Sequence, residues 1–383
     1  MREDSAVDVQ SADNIRIGVI GCGGFGLFAL QHFAQVPGVR LAGMAGTHRE
    51  AALAAAKRFG LENVEAVADL VRREDIDLVY IATPPFLHYE QAMQALEAGK
   101  HVICEKPMAV TLSQADEMIA AAARRDLLLV ANLMQRYNPL YDAVKSLIDQ
   151  RILGDVLHGY FENYAADEGL PSDHWFWDRS KSGGIFIEHG VHFFDLLAGW
   201  LGEGRVVAAQ VCRRPGADLE DQVQCTVRYG EGVLVNFYHG FHQTGRMDRQ
   251  ELRLVFERGD VTLYDWIPSR YRIHAVVDEA ATRALCDLFP KARLDVSAAY
   301  AGKDRACRGR GQVFDVYQMV ELSGGFERPK LHRYGDLLRN LLADQIAWLR
   351  DRSHARRITE ENGRASLAMA VEADSLARGE TPR

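Results

Sequence analysis

Three short segments of the chain combine residue types that could hold a dinucleotide or move a proton. Residues 21–26, Gly-Cys-Gly-Gly-Phe-Gly, have the spacing GxGxxG. Residues 105–107, Glu-Lys-Pro, place a carboxylate beside an ammonium group and ahead of a proline. Glu188, His192 and Asp195 are spaced i, i+4 and i+7. What each segment can do depends on the element that carries it.

The glycine motif lies between a predicted strand and a predicted helix. Residues 15–21, IRIGVIG, form an apolar run typical of a strand that is buried on both faces. Gly21 would permit a tight turn, Gly23 would let the backbone approach a pyrophosphate, and Gly26 would let the helix pack on the strand. Gly24 and Phe25 open the helix, whose N–H groups and dipole favour phosphate. The motif therefore predicts dinucleotide binding, with a structural glycine turn as the alternative.

The end of the second predicted strand bears on which dinucleotide binds. An acidic residue about 20 positions beyond the glycine motif normally accepts hydrogen bonds from the adenosine ribose, and here Gly46 occupies that place. Thr47, His48 and Arg49 follow and offer a hydroxyl and one or two cations to a 2′-phosphate. This pattern favours NADP over NAD as the cofactor. The alternative is a helix-capping turn with Thr47 as the cap.

The elements that must position these segments fall into two patterns. Residues 14–137 alternate strands and helices with short connections, which predicts an α/β domain with a doubly wound parallel sheet. In residues 138–383, strand-like runs joined by tight turns predict an α+β domain with a large open, mainly antiparallel sheet. We expect this second domain to bind substrate and to form oligomer contacts, and the C-terminal helices to pack back on the first domain.

Two segments of the second domain carry narrower expectations. Residues 183–201 have the pattern of one continuous helix, which would hold the polar residues Glu188, His192 and Asp195 on one face. Residues 266–332 contain charged, arginine-rich stretches and predict an insertion with helices of its own.

Composition excludes several classes of function. The net charge of −8 is not the footprint of a nucleic-acid-binding protein. Six scattered cysteines without CxxC spacing indicate reduced thiols, not a disulfide or zinc framework. The polar first fourteen residues do not resemble a signal peptide, and no apolar stretch has membrane-spanning length. We therefore expect a cytoplasmic protein whose partner is a small molecule, neither nucleic acid nor membrane.

Four motifs together resemble one enzyme family. They are the glycine motif, residues 81–88 (IATPPFLH), residues 98–107 (AGKHVICEKP) and residues 183–195 (GGIFIEHGVHFFD). In combination they resemble the glucose–fructose oxidoreductase, inositol dehydrogenase and rhizopine-catabolism family, Gfo/Idh/MocA. The resemblance implies a Rossmann domain followed by an α/β domain, dimers or tetramers, and NAD(P)-dependent dehydrogenation or reduction of CH–OH groups in sugars and polyols.

Lys106 is the first candidate catalytic residue. It follows the fourth predicted strand, at the sheet edge where ligands of doubly wound folds bind. Its ammonium group could donate to a carbinol oxygen and stabilise negative charge as hydride leaves, while Glu105 could orient it. The alternative is a surface salt bridge beside a proline turn.

His192 and Glu188 are the other candidate catalytic residues. A carboxylate one helical turn from an imidazole favours proton transfer to or from an alcohol, although such a stripe could also be a solvated polar face. By resemblance, His192 takes the position of the family's catalytic histidine and Glu188 that of its aspartate. The longer glutamate is a departure that could alter how substrate is held.

The resemblance and the sequence positions imply further contacts. Cofactor contacts are implied for the glycine motif and for Thr47, His48, Arg49, Thr83, Pro84, His88, Glu105, Lys106 and Gln135. Substrate contacts are implied for Lys106, Arg136, Trp177, His189, His192 and Asp195. Trp177 belongs to an aromatic cluster of a kind that is usually core, and His189 could instead be a buried, satisfied histidine. Metal ligation by Glu188, His189 and His192, with His174, is disfavoured because neighbouring residues diverge by ~100° on a helix, so we expect no metal.

Three functional hypotheses remain open from the sequence. The leading one is an NAD(P)-dependent oxidoreductase of a sugar, polyol or related small molecule. The others are a redox-neutral, glycoside-processing enzyme with tightly bound NAD, and a non-enzymatic NADP-binding regulatory protein. In each case an open sheet needs its exposed face covered, which predicts a homodimer or homotetramer through the second domain. His239 and His242 lie on a strand of that sheet and could face the cleft or the subunit interface.

Overall fold

The computed structural model describes residues 14–46, 49–64, 66–326 and 329–380. Over these residues the chain forms two compact units. The first comprises the chain up to Ala109 together with Ser113–Asn132 and Gly335–Glu361. The second comprises Val110–Leu112, Leu133–Tyr334 and the chain from Asn362 onward.

A six-stranded parallel sheet forms the centre of the first unit. Its strands are β1 (Ile15–Ile20), β2 (Val39–Ala45), β3 (Glu62–Val64), β4 (Leu78–Ile81), β5 (His101–Cys104) and β6 (Leu129–Ala131). They lie in the order β3-β2-β1-β4-β5-β6. The connecting helices are α1 (Gly24–Phe33), α2 (Arg49–Phe59), α3 (Val67–Arg72), α4 (His88–Glu97) and α5 (Leu112–Arg124). This confirms the predicted doubly wound sheet, whose apolar central strands β4 and β5 are largely buried.

Strand β3 and helix α3 are additions that the sequence pattern did not indicate. Strand β3 has three residues and pairs with β2 at the edge of the sheet. A strand of three residues is too short to show a repeating pattern of apolar residues. For that reason periodicity gave no signal for it.

A nine-stranded sheet forms the centre of the second unit. Its strands are β7 (Val156–Ala166), β8 (Gly204–Arg213), β9 (Glu220–Tyr229), β10 (Val233–Gln243), β11 (Arg249–Phe256), β12 (Gly259–Tyr264), β13 (Arg270–Val277), β14 (Arg293–Ala299) and β17 (Gln318–Gly325). They lie in the order β14-β17-β13-β12-β11-β7-β10-β9-β8. Strands β7 and β10 pair in parallel and the other neighbours pair antiparallel. The predicted open, mainly antiparallel sheet is therefore confirmed.

One face of this sheet packs against a helical segment. The segment contains α6 (Pro139–Asp149), α7 (Arg179–Ser182) and α8 (Val191–Leu201). Phe193 of α8 stacks on Phe161 of β7, and Phe194 packs against Phe237 of β10. The alternation of side chains along β10 directs Phe237, His239 and Phe241 to this buried face.

The prediction of one continuous helix over residues 183–201 is wrong. Gly183 and Gly184 adopt φ angles of +81° and +95° and end α7, a conformation that L side chains rarely adopt. A π-helical turn, Phe186–Gly190, then leads into α8. Glu188 therefore lies on the π-helical turn, whereas His192 and Asp195 lie on the α-helix.

Residues 266–332 do not form a separate insertion. They contribute β13, β14 and β17 to the nine-stranded sheet, together with one helix, α9 (Glu279–Leu288). A small hairpin of β15 (Ala306–Gly309) and β16 (Gln312–Asp315) projects from this part of the chain. In β13 buried and half-buried residues alternate, as expected of a strand with one covered face.

The two last helices are α10 (Lys330–Arg350) and α11 (Glu360–Arg378). From Gly335 onward α10 belongs to the first unit, where Arg339 contacts His32 of α1. From Asn362 onward α11 belongs to the second unit. Among the described residues, no helix has both the length and the apolar character needed to cross a membrane.

Candidate active site

The glycine loop joins β1 to α1 in the first unit. Gly21 has a φ angle of +104°, and a Cβ atom there would lie 2.5 Å from the carbonyl oxygen of Ala82. A Cβ atom at Gly26 would lie 2.5 Å from the carbonyl oxygen of Gly21. Gly23 and Gly24 are exposed, and a Cβ atom at either would meet nothing within 4 Å. The loop thus combines a tight turn and a close helix–strand approach with open space at the start of a ten-residue helix.

The end of β2 has no acidic side chain and no room for one. A Cβ atom at Gly46 would lie 2.3 Å from the Sγ atom of Cys22 and 3.1 Å from the Cβ atom of Ala52. The thiol of the glycine loop therefore fills the space beside Gly46. Thr47 and His48 lie outside the described residues. Arg49 begins α2, and its side chain is not described.

Lys106 follows β5 and is half-buried beside the carboxylate of Glu105. Glu105 is buried; Tyr80 donates to its Oε1 atom, and the Nδ2 atom of Asn132 donates to the same atom at 2.6 Å. Burial raises the pKa of Glu105, while hydrogen bonds from Asn132 and Tyr80 and the charge of Lys106 act in the opposite direction. The peptide bond between Lys106 and Pro107 is cis.

His88, expected from the sequence to contact the cofactor, is buried at the start of α4. Its side chain is 0% exposed. The Nδ1 atom lies 2.8 Å from the carbonyl oxygen of Pro107, and the Nε2 atom lies 2.7 Å from that of Thr83. The imidazole therefore ties the turn after β4 to the turn after β5. Thr83, whose hydroxyl donates to Gln91 at 2.6 Å, and Pro84 are half-buried on the first of these turns.

His192 lies on the first turn of α8 in the second unit. It is 2% exposed, and its ring meets the indole of Trp266 edge to face, with 5.0 Å between the ring centroids. Glu188, on the preceding π-helical turn, is half-buried.

His189 is turned into the interior of the second unit. Its Nδ1 atom lies 2.9 Å from the Nδ1 atom of His239, and its Nε2 atom accepts from the indole of Trp266 at 3.2 Å. Both ring nitrogens are thus engaged within the protein. This is the geometry of a buried, hydrogen-bonded histidine, which is one of the two possibilities that the sequence left open for His189.

Asp195, expected from the sequence to contact substrate, is buried in the second unit. It is 2% exposed, and Arg136 holds its carboxylate at 2.8 Å. Burial raises the pKa of Asp195 to about 6 against the opposing effects of Arg136 and Asn362. The guanidinium of Arg136 is itself mostly buried. This pair fixes α8 to the segment before α6.

The remaining predicted residues lie in the second unit. Gln135 is buried, and its Nε2 atom donates to the carbonyl oxygen of Trp266 at 2.7 Å. The half-buried Trp177 donates to the carbonyl oxygen of Leu170 at 3.1 Å, and its ring meets Phe176 and Phe241 edge to face.

The other histidines have separate places. The ring of His174 accepts from the Phe176 amide and caps the short 3₁₀ helix Trp175–Trp177. His239 is 0% exposed, whereas His242 is exposed and contacts Tyr238. Within the part of the chain that the structure describes, no group of three His, Cys, Asp or Glu side chains is arranged to hold a metal ion.

Two family models match the two units in turn. Residues 15–133 match the model described as an oxidoreductase family with an NAD-binding Rossmann fold, and residues 141–262 match that of the GFO/IDH/MocA C-terminal domain. A dTDP-3,4-didehydro-2,6-dideoxy-alpha-D-glucose 3-reductase from Saccharopolyspora spinosa is 31% identical over 280 residues, which are 70% of this chain and 83% of that protein. The chain belongs to the GFO/IDH/MocA family.

Solved structures of similar fold extend over nearly the whole of this GFO/IDH/MocA chain. Levoglucosan dehydrogenase in complex with NADH and levoglucosan has a TM-score of 0.76 at 21% identity, covering 96% of this chain and 98% of that one. A 3-ketoreductase from Actinomadura kijaniata in complex with TDP-benzene and NADP has a TM-score of 0.72 at 20% identity, with the same coverage. In sequence, the chain spans only 47–64% of the length of several other curated relatives that it matches.

Three residues of this GFO/IDH/MocA site were not identified from the sequence. Tyr80 and Asn132 come from strands or strand ends on either side of Glu105, and their sequence separations of 25 and 27 residues hide the contact. Trp266 lies in the segment interpreted as an insertion. An isolated tryptophan between two strand patterns was the one signal available for it.

Proposed function

We propose that this protein is an NAD(P)-dependent oxidoreductase that transfers hydride to or from a CH–OH carbon of a sugar, polyol or related small molecule. The observation that carries the proposal is the placement of Lys106 beside a buried Glu105 directly after β5. This is the carboxyl edge of a doubly wound parallel sheet, where ligands of such folds bind. The glycine loop after β1 lies at the same edge. Membership of an oxidoreductase family and the activities named for its relatives support it.

The glycine loop fits a dinucleotide. Gly23 and Gly24 leave open space before the amides of α1, while Gly21 and Gly26 are held as glycines by backbone contacts. These amides would hold the pyrophosphate. When bound, the nicotinamide would accept or supply the hydride. The absence of an acid at Gly46, where a carboxylate would repel a 2′-phosphate, supports a preference for NADP over NAD.

Each unit contributes one candidate catalytic side chain. In the oxidative direction, we assign His192 of the second unit as a base for a hydroxyl proton. We assign Lys106 of the first unit as a donor to a carbinol oxygen, where its ammonium group would stabilise developing negative charge. Glu105 would supply the fixed negative charge that keeps the lysine ammonium in place. Glu188 would assist His192, and Trp177 would offer its indole face to the C–H groups of a sugar ring.

The proposed oligomer would form through the second face of the nine-stranded sheet. Tyr160, Tyr164 and Tyr238 lie on this face, half-buried, with Arg249 and Arg253 against two of the rings. Tyrosine and arginine are enriched at protein interfaces. We propose that a second copy of the chain covers this surface in a homodimer or homotetramer.

The function is tested by turnover of a defined panel: levoglucosan, D-glucose, myo-inositol and methyl glucosides, each with NAD and with NADP, followed by nicotinamide absorbance. Lys106→Ala and His192→Ala should abolish turnover while cofactor affinity stays within several-fold, because neither residue is part of the glycine loop. Lys145→Ala is the matched control, since Lys145 is an exposed lysine of α6 paired with Asp149. Hydride transfer near the wild-type rate in either active-site variant would refute the assignment.

The same panel separates the alternatives. Cleavage of a methyl glucoside with copurified NAD and no net absorbance change would identify redox-neutral glycoside processing. Cofactor binding without turnover of any compound would favour a regulatory protein.

A further inference from the structure

A row of three hydrogen-bonded side chains, the half-buried Trp266 and the buried His189 and His239, runs through the second unit beside His192. The indole Nε1 atom of Trp266 donates to the Nε2 atom of His189 at 3.2 Å. The Nδ1 atom of His189 lies 2.9 Å from the Nδ1 atom of His239. His239 is 0% exposed and packs against Phe161 and Phe193. This row of side chains therefore extends from the loop after β12, through the π-helical turn, to strand β10 of the sheet.

The donor and acceptor rules fix where the protons of this row lie. An indole nitrogen only donates, so the Nε2 atom of His189 must accept and carries no proton. The proton of neutral His189 is then on Nδ1 and is donated to the Nδ1 atom of His239. His239 must carry its own proton on Nε2. Burial lowers the pKa of His239 to about 3, so this ring is neutral at physiological pH.

This arrangement comes at a cost in stability. The Nε2 atom of His239 is buried and finds no hydrogen-bond partner among the described residues. An unsatisfied buried donor costs about 1–3 kcal/mol, which an apolar residue at position 239 would avoid. Because an aliphatic pair would avoid this cost, the cost indicates that the histidine pair has a role beyond packing.

The indole at the end of the row is held on several sides. Gln135 donates to the carbonyl oxygen of Trp266 at 2.7 Å, and Asn138 donates to that of Pro268 at 2.8 Å, so the loop backbone is anchored. The ring of Tyr334 lies 5.5 Å from that of Trp266. The same indole meets the imidazole of His192 edge to face at 5.0 Å.

We propose that Trp266, His189 and His239 are positioning residues for His192. The histidine pair sets the rotation of the indole, and the indole sets the orientation of the His192 ring. Proton transfer requires the base within about 2.6–3.2 Å of the proton-bearing atom, so a small rotation of His192 is costly. This inference rests on the proposed function of His192, but its main test does not require a substrate.

The main test is NMR of the full chain with ¹⁵N-labelled histidine, which reports the tautomer of each ring. We expect the Nδ1–H tautomer for His189 and the Nε2–H tautomer for His239. His189→Leu and Trp266→Phe should both shift the His192 signals. The first removes the acceptor of the indole N–H group, and the second removes the N–H group that donates to His189. His189→Gln should leave the signals near their wild-type positions, since a carboxamide can accept from Trp266 and donate to His239.

Trp200→Phe is the matched control. Trp200 is a buried indole of the same unit that donates to the carbonyl oxygen of Tyr141 at 3.0 Å. The control should lower the melting temperature without moving the His192 signals. Unchanged His192 signals in both His189→Leu and Trp266→Phe, or an equal change in Trp200→Phe, would overturn the inference.

Kinetics on whichever panel compound is turned over give the second readout. His189→Leu and Trp266→Phe should lower kcat about 10-fold with little change in KM, because a misplacement of about 1 Å can cost up to about 100-fold. His189→Gln should recover most of kcat. If the wild type turns over nothing, the proposed function fails, and the NMR result still decides whether the network positions His192.

Discussion

Cofactor choice can be changed by two substitutions at the end of β2 and in the glycine loop. Gly46→Asp alone introduces the carboxylate typical of NAD sites, but its Cβ atom would lie 2.3 Å from the sulfur of Cys22. Ordinary van der Waals contact begins near 3.4 Å, so the thiol must move by roughly 1 Å. Overpacking of this kind costs about 1–3 kcal/mol. Cys22→Ala removes the sulfur, and the Cβ atom that remains lies 3.6 Å away, in ordinary contact.

The size of the switch follows from the interactions gained and lost. A carboxylate at position 46 would accept hydrogen bonds from the ribose hydroxyls of NAD, and a charged hydrogen bond contributes about 1.5–3 kcal/mol. The same carboxylate would repel the 2′-phosphate of NADP. The ratio of the two dissociation constants should therefore move by about 10- to 150-fold toward NAD in Cys22→Ala/Gly46→Asp. Gly46→Asp alone should show a lower melting temperature than the double variant.

Calorimetric titration with NAD and with NADP measures both affinities for the wild type and the three variants. Cys22→Ala is the control, and it should keep the wild-type preference for NADP because it leaves position 46 as glycine. Equal or tighter binding of NAD by the wild type would refute the assignment of Gly46. A single Gly46→Asp variant as stable as the double variant would refute the steric argument.

Three further predictions concern the second unit. The free energy of unfolding should fall by about 2 kcal/mol more in the wild type than in Asp195→Asn as pH rises from about 4 to 6, because the folded state holds the Asp195 proton more tightly than the unfolded chain does; parallel urea titrations at both pH values would contradict this if the two proteins lost equal stability. Glu188→Gln should lower kcat and Glu188→Asp should retain much more activity, because only a carboxylate favours the protonated imidazole of His192; loss of activity with EDTA and recovery with zinc would instead indicate a metal ligand. Sedimentation at micromolar concentration should show an oligomer that Tyr160→Arg weakens on the proposed sheet interface, whereas a monomer of 42.8 kDa in the wild type would count against that interface.

The sequence by itself determined the glycine turn and the types of the two sheets. Gly21 and Gly26 can be identified from the sequence because a positive φ angle and a close backbone approach exclude every side chain, and both conditions arise within one turn. The parallel sheet is predictable because strands buried on both faces must be apolar along their length. The antiparallel sheet is predictable because short turns join its strand patterns.

Tertiary structure alone decided which side chains meet. The partners of Glu105 come from neighbouring strands, and those of His189 lie 50 and 77 residues along the chain. A local sequence pattern cannot show which residues meet across such long stretches of chain. From the sequence we expected Asp195 and His88 to line a binding site. In the folded protein both are buried: Asp195 pairs with Arg136, and His88 lies between two backbone carbonyl groups.

The π-helical turn shows that sequence spacing can also fail to predict side-chain directions within one short segment. The spacing of Glu188, His192 and Asp195 predicts one helical face, which assumes an uninterrupted α-helix. Gly183 and Gly184 end the preceding helix, and the following turn winds differently before α8 begins. Sequence spacing thus identified the residue types that could do the chemistry. Their directions depend on how the turn packs against the sheet, through His189 and His239, and only the folded structure contains that information.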